Sequence, residues 1–143
     1  MSAATAPLNR DVRVIGLIGI AHGVSHYYQL AFVTMLLIVR QEAGFTYTDV
    51  GLLAGIFYGV SGISQTAAGF AVDRFGARPI LAGGLATIGV ALGLISVVHS
   101  FPGFAAIAVI AGLGNCVFHP ADFALLNSSV DQGIGRASCR ERV

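Results

Sequence analysis

No lysine occurs anywhere in this chain, and charged residues of both signs make up only 10% of it. A soluble domain carries about 25% charged residues, so a water-facing surface of ordinary composition is excluded. The formal net charge is +1, and scattered arginines supply every basic side chain. That excludes a polybasic face for nucleic acid. Cysteine is equally scarce. Cys116 and Cys139 have neither paired nor metal-ligand spacing, which removes a disulfide framework. There is no nucleophile elbow, no phosphate loop and no His-Glu-x-x-His zinc helix, so the motifs of an enzyme are missing and no cofactor is called for. What abounds is apolar: 55% hydrophobic residues and a mean hydropathy of +0.79. The composition is that of an integral membrane protein, with the lipid bilayer as its first partner.

Four runs reach the roughly 20 apolar residues that cross a hydrocarbon core. They are Val14–Val39, Val50–Val72, Ile80–Val98 and Phe104–Leu126. The first is too long for a secretory signal and lacks a small-residue cleavage site after it, so it reads as a retained span. The predicted fold class is an all-α membrane protein with four transmembrane helices. Short connections make sequential neighbours antiparallel. Residues 1–13 then form a tail and residues 14–127 the membrane unit. Thr48 or Asp49 is expected to cap the second helix. Pro79 suits the first turn of the third. Phe101-Pro102-Gly103 is expected as a turn before the fourth.

Arginine placement sets the sidedness. Arg10 and Arg13 flank the first span, and Arg74 and Arg78 lie on the same side between the second and third. Across the bilayer, Arg40 is offset by Glu42 and Asp49. By the positive-inside rule the N-terminus and the Asp73–Arg78 loop face the cytoplasm, in a plasma or inner membrane. The last ten residues, Ile134–Val143, back-translate codon by codon onto a common short-read sequencing adapter whose next codon is a stop. They are expected to be a non-native tail on a gene that continues, and are set aside from fold reasoning.

Small residues recur at helical spacing. Gly51, Gly55 and Gly59 share one face of the second span, Gly89 and Gly93 one face of the third, and Gly112 sits with Gly114 in the fourth. Small-xxx-small faces let membrane helices approach closely. Close packing is therefore expected at these positions.

The stretch Gly69–Leu81 concentrates Asp73, Arg74, Gly76, Arg78 and Pro79 between two spans. It suits a rigid, one-sided connection: Gly76 permits the turn and Gly69 lets a neighbouring helix pack. Asp73 can accept from N–H groups opening the next helix. Arg74 and Arg78 can pair with Asp73 or with acids elsewhere. This run resembles the signature loop of the major facilitator superfamily, Gly-x-x-x-Asp-Arg-x-Gly-x-Arg/Lys-x-x-Leu. Gly69, Asp73, Arg74, Gly76, Arg78 and Leu81 fill it, while Ala77 stands where a further basic residue is usual. The resemblance implies an alternating-access secondary transporter of twelve helices in two halves, of which this chain would hold the first four. A narrower likeness lies in His22–Gln29 and Gly112–Phe123, which resemble the branch that includes fosmidomycin-resistance-type efflux proteins. Many proton antiporters of the superfamily carry an arginine where this chain has Ala108, so their arginine-based coupling is not carried over.

Ionisable side chains inside a bilayer are costly and usually functional. His22, His26 and Gln29 form a polar stripe on the first span together with Ser25. His119 and Asp122 share a face of the fourth, and Pro120 between them should kink that helix because it cannot donate to the Cys116 carbonyl. Superfamily carriers are built from inverted three-helix repeats with the site near mid-membrane, which makes spans one and four equivalents. His22, His26, Gln29, His119 and Asp122 are therefore the expected substrate and proton pathway. Histidine changes charge near neutral pH. One or more of these histidines, with Asp122, is expected to take up and release H+ while a small organic molecule is exported. His-x-x-x-His on a helix can ligate a transition metal, but with no cysteine ligand beside it no metal site is expected. The competing reading is a self-contained four-helix membrane protein acting as an oligomer.

Overall fold

The computed structural model describes residues 6–129, and within them the chain is helical with no strand. The helices are α1 (Ala6–Val39), α2 (Tyr47–Phe75), α3 (Ala77–Leu94), α4 (Phe101–Asn115) and α5 (Phe118–Ser129). The last two follow one another along a single bent path, so four helices cross the bundle. The adapter-like run 134–143 lies outside the described residues. By length and composition α2, α3 and the α4–α5 unit (Phe101–Ser128) can cross a membrane. At 34 residues α1 is long enough as well, but its polar stripe around His22, His26 and Gln29 holds its hydropathy below theirs. It also begins at Ala6, earlier than the expected Val14.

The turn between α1 and α2 is built by Thr46 rather than by Thr48 or Asp49. The Asp49 N–H donates to Thr46 Oγ1 at 3.2 Å, and the Thr46 N–H donates to Asp49 Oδ2 at 2.8 Å. The spacing Thr-x-x-Asp thus satisfies two donors reciprocally. Among the described residues Asp49, bonded there, makes no ion pair with Arg40. The Arg40 guanidinium instead lies 3.9 Å over the Tyr47 ring, and its Nη1 donates to the Phe45 carbonyl at 3.4 Å. Thr46→Ala is expected to lower stability by about 1 kcal/mol. Thr48→Ala should stay within about 0.5 kcal/mol. Thermal unfolding in detergent, followed by circular dichroism, reads both.

The expected turn at Phe101–Gly103 is instead the first turn of α4. Ser100 caps it, accepting from the Gly103 N–H at 3.4 Å, and Pro102 sits where no helical N–H partner is missed. At the other end, α4 stops at Asn115 and α5 starts at Phe118. Pro120 leaves the Cys116 carbonyl without its helical donor, so the break falls one turn before the proline. The ladder resumes with the Ala121 N–H donating to Val117 O at 3.0 Å.

α4 is the centre of the bundle, packed against both α2 and α3. Two glycines make this possible. A Cβ on Gly112 would lie 2.7 Å from the Phe57 carbonyl oxygen of α2, and one on Gly114 would lie 2.9 Å from the Gly84 carbonyl oxygen of α3. The contact is reciprocal, since a Cβ on Gly84 would lie 2.6 Å from the Gly114 oxygen. The stripe Gly51, Gly55, Gly59 has no such neighbour: nothing among the described residues comes within 4 Å of a Cβ placed there, nor at Gly89 or Gly93. The reason is angular. Leu53 and Phe57 face the bundle, and at 100° per residue positions two away from them point outward.

The apolar core lies toward the α1–α2 turn. Phe32 and Leu36 of α1 meet Leu53 and Phe57 of α2, Ala91 of α3, and Phe104, Ile107 and Ala108 of α4. The Phe32 and Phe57 rings stack with centroids 4.9 Å apart. Ala108 is fully buried in this cluster, so the position that carries arginine in many antiporters is here a packing position. α1 joins the bundle chiefly through α5, and that junction is where the polar residues gather.

Candidate functional site

Two polar layers tie α1 to the α4–α5 unit. In the first, the Gln29 amide donates to Asn115 Oδ1 at 3.2 Å, and Asn115 Nδ2 donates to Ser61 Oγ of α2 at 2.8 Å. Asn115 and Ser61 are both buried. Interhelical hydrogen bonds of this kind contribute about 0.6 kcal/mol each in membrane proteins. They also fix rotation, since the amide must face its partner. Two turns along each helix, about 10 Å by helix rise, lies the second layer.

There His22 is the hub. Its Nδ1 lies 2.9 Å from Asp122 Oδ2, and its Nε2 lies 3.1 Å from His26 Nε2. The His119 ring sits beside it with centroids 5.2 Å apart. An ionised Asp122 accepts only, so His22 must donate through Nδ1. With neutral imidazoles His22 Nε2 then accepts from the His26 N–H. A second proton on His22 reverses that bond, and His22 Nε2–H donates to His26. The pair of bonds is therefore a directed chain from His26, which is exposed, to Asp122, which is only 6% exposed. Ser25 stands apart: its hydroxyl turns back onto the His22 carbonyl at 2.8 Å.

Beside this layer a cavity of about 300 Å³ opens between α1 and α5. His22, His119 and Asp122 line it together with apolar side chains. A Cβ on Gly69 would lie 4.0 Å from Pro120 Cβ, so the start of α5 is level with the last turns of α2. The histidine layer accordingly sits in the half of the bundle nearer Gly76.

All five expected pathway residues thus fall on the α1–α4/α5 seam, in two groups: His22, His26, His119 and Asp122 in one, Gln29 in the other. Asn115 and Ser61 were not anticipated. Asn115 lies four residues before His119 in the same apolar run, a signal readable in the sequence. Ser61 had none. Among the described residues no three histidine, cysteine or acidic side chains are arranged to hold a metal ion.

The signature stretch is tighter than a loop. α2 runs through Asp73 and Arg74 to Phe75, and α3 begins at Ala77, so Gly76 alone joins them. Its φ of 89° and ψ of 149° lie in a region essentially reserved for glycine. Its N–H returns to the Val72 carbonyl at 2.8 Å. No side chain caps α3, so Asp73 does not take the role expected of it. Arg74 lies 5.6 Å over the Phe75 ring. Among the described residues neither it nor Arg78 forms an ion pair. Arg78 and Pro79 occupy the first turn of α3.

Comparison with known proteins agrees with this architecture. The chain is similar to a probable L-galactonate transporter of Escherichia coli (strain K12), 29% identical over 91 residues. The aligned part is 64% of this chain but 20% of the relative, so the chain spans about a fifth of that protein's length. No solved structure matches. The family model of the Major Facilitator Superfamily matches residues 15–137, which takes in every element of the site. The chain belongs to the Major Facilitator Superfamily, a family of multi-pass membrane transporters.

Proposed function

We propose that these helices are part of a secondary active transporter that exports a small organic molecule in exchange for protons, by alternating access. The observation that carries this reading is the bonded chain His26–His22–Asp122. It connects an exposed imidazole to a buried carboxylate across two helices that are repeat equivalents in superfamily carriers. A proton entering at His26 passes to His22 and neutralises the Asp122 charge, which changes how α1 is held against α5. That is the bistable element a coupled carrier needs. The likeness of His22–Gln29 and Gly112–Phe123 to fosmidomycin-resistance-type efflux proteins supports the outward direction.

In this reading residues 14–127 are the membrane unit of the carrier's first half and residues 1–13 a cytoplasmic tail. The N-terminus and the Gly76 joint face the cytoplasm of a plasma or inner membrane. Asp73, Arg74 and Arg78 then act as a latch, exchanging partners as the halves rock. The second half comes from sequence beyond these helices, and residues 134–143 are adapter-derived.

The test is reconstitution of the full-length carrier in proteoliposomes that enclose a pH-sensitive dye. Adding substrate should move protons across the membrane opposite to the substrate, and collapsing the pH gradient with an ionophore should slow substrate flux. Flux that is indifferent to the gradient would remove the coupling. A proton current in the same direction as substrate would reverse the assignment to uptake.

A further inference from the structure

The substrate class can be drawn from the cavity between α1 and α5, resting on the transporter reading above. Its lining comes from these two helices alone. Most of the wall is hydrocarbon: Ile15 and Ile18 on one side, Phe123 and Leu126 on the other. The polar part is Asp122 with His22 and His119 beside it. Of the two carboxylate oxygens, Oδ2 accepts from His22 at 2.9 Å. Oδ1 is buried and has no hydrogen-bond partner among the described residues.

A buried acceptor without a donor is destabilising, and more so when it is charged. A ligand that satisfies it brings N–H or O–H donors, and a positive charge matches the carboxylate. An anion would meet Asp122 with like charge. Asp122 itself lines the cavity, so its carboxylate is within reach of a donor seated there.

We propose that this cavity binds an amphiphilic amine: a protonated nitrogen paired with Asp122, and an apolar body against Ile15, Ile18, Phe123 and Leu126. Its volume of about 300 Å³ is at the small end of ligand pockets, which suits a compact molecule. The ammonium and a proton on His22 are alternative counter-ions for one carboxylate. Loading one releases the other, which is an exchange. The remaining titratable groups of this layer are His26 and His119.

Three matched fluorescent probes test the proposal on the full-length carrier in lipid nanodiscs: a dansyl-hexylammonium, its N-acetylated neutral form, and a dansyl-hexanoate. The ammonium should bind saturably and at least about tenfold tighter than the other two, as a buried charge pair requires. Asp122→Asn should erase that preference and Asp122→Glu should keep part of it. Ile18→Trp, which narrows the cavity from its apolar wall and leaves the carboxylate in place, should weaken the ammonium about tenfold. Unchanged melting temperatures identify the variants that remain folded. Tighter binding of the hexanoate, equal non-saturable uptake of all three probes, or an ammonium preference that survives Asp122→Asn would overturn the proposal. Proton flux measured with the carrier's own substrate in the same preparation separates the two readings. Coupled flux with hexanoate preferred sinks the amine alone, and ammonium binding without coupled flux sinks the coupling alone.

Discussion

Gly114→Ala is expected to destabilise the bundle by about 1–3 kcal/mol, and Gly114→Leu to prevent α3 and α4 from docking at all. A methyl group at this position would lie 2.9 Å from the Gly84 carbonyl oxygen and 3.0 Å from the Ile88 nitrogen. Both are backbone atoms, so no side chain can swing aside to make room. The helices would have to separate along the whole crossing, and the packing on both sides of α4 would loosen with them. Membrane helices associate largely through such close contacts, because lipid already solvates their apolar surface. The comparison that makes the point is Gly55→Ala. Nothing comes within 4 Å of a Cβ there, and removing a mid-helix glycine is favourable by roughly 0.5–1 kcal/mol. The same chemical change should therefore move the thermal midpoint of this chain in detergent down at Gly114 and leave it level or raised at Gly55. Equal shifts at both positions would contradict the packing described.

The second large effect is expected at His22, where two substitutions should part company. His22→Ala removes the partner of Asp122 Oδ2 and leaves a buried carboxylate without that donor, which costs about 1–3 kcal/mol. Both the thermal midpoint and transport should fall. His22→Gln keeps an amide N–H that can still donate to Asp122, so the fold and substrate binding should survive. A neutral amide cannot carry a proton onward from His26, however. Substrate exchange down its own gradient should persist, while acceleration by a pH gradient should fall by about two powers of ten, the lower end of what a positioned acid–base group contributes. Proteoliposome flux with and without a gradient separates the two. A glutamine variant that remains fully coupled would show that the proton travels through His119 or does not use this cluster.

The polar seam was legible because polar residues on an otherwise apolar helix have few explanations. His22, His26, His119 and Asp122 each stood out against their surroundings, and helical spacing alone placed them on facing stripes. Which of them sits at the centre was not legible. That depends on the register between α1 and α5, set by contacts a hundred residues apart. The glycines show the same limit from the other side. Gly51, Gly55 and Gly59 form a better stripe on paper than Gly84 and Gly114 do. Yet only the latter two face another helix, because the large side chains at Leu53 and Phe57 decide which way α2 turns. Caps depend on single hydrogen bonds, and Thr46 won over Thr48 for that reason. The bend in the fourth span, by contrast, followed from Pro120 directly, since a missing N–H is a property of one residue and needs no partner to be known.

The bond between His22 and Asp122 joins residues 100 positions apart, and that separation has a consequence for biosynthesis. At roughly 5–20 residues per second, α1 emerges about 5–20 seconds before the carboxylate that will hold it has been made. During that interval its two histidines have only each other as partners. The α3–α4 hairpin closes over a far shorter stretch of chain, through backbone contacts that need no side-chain chemistry. The bundle is thus expected to assemble from its C-terminal pair inward, with the least apolar helix entering the membrane first and docking last.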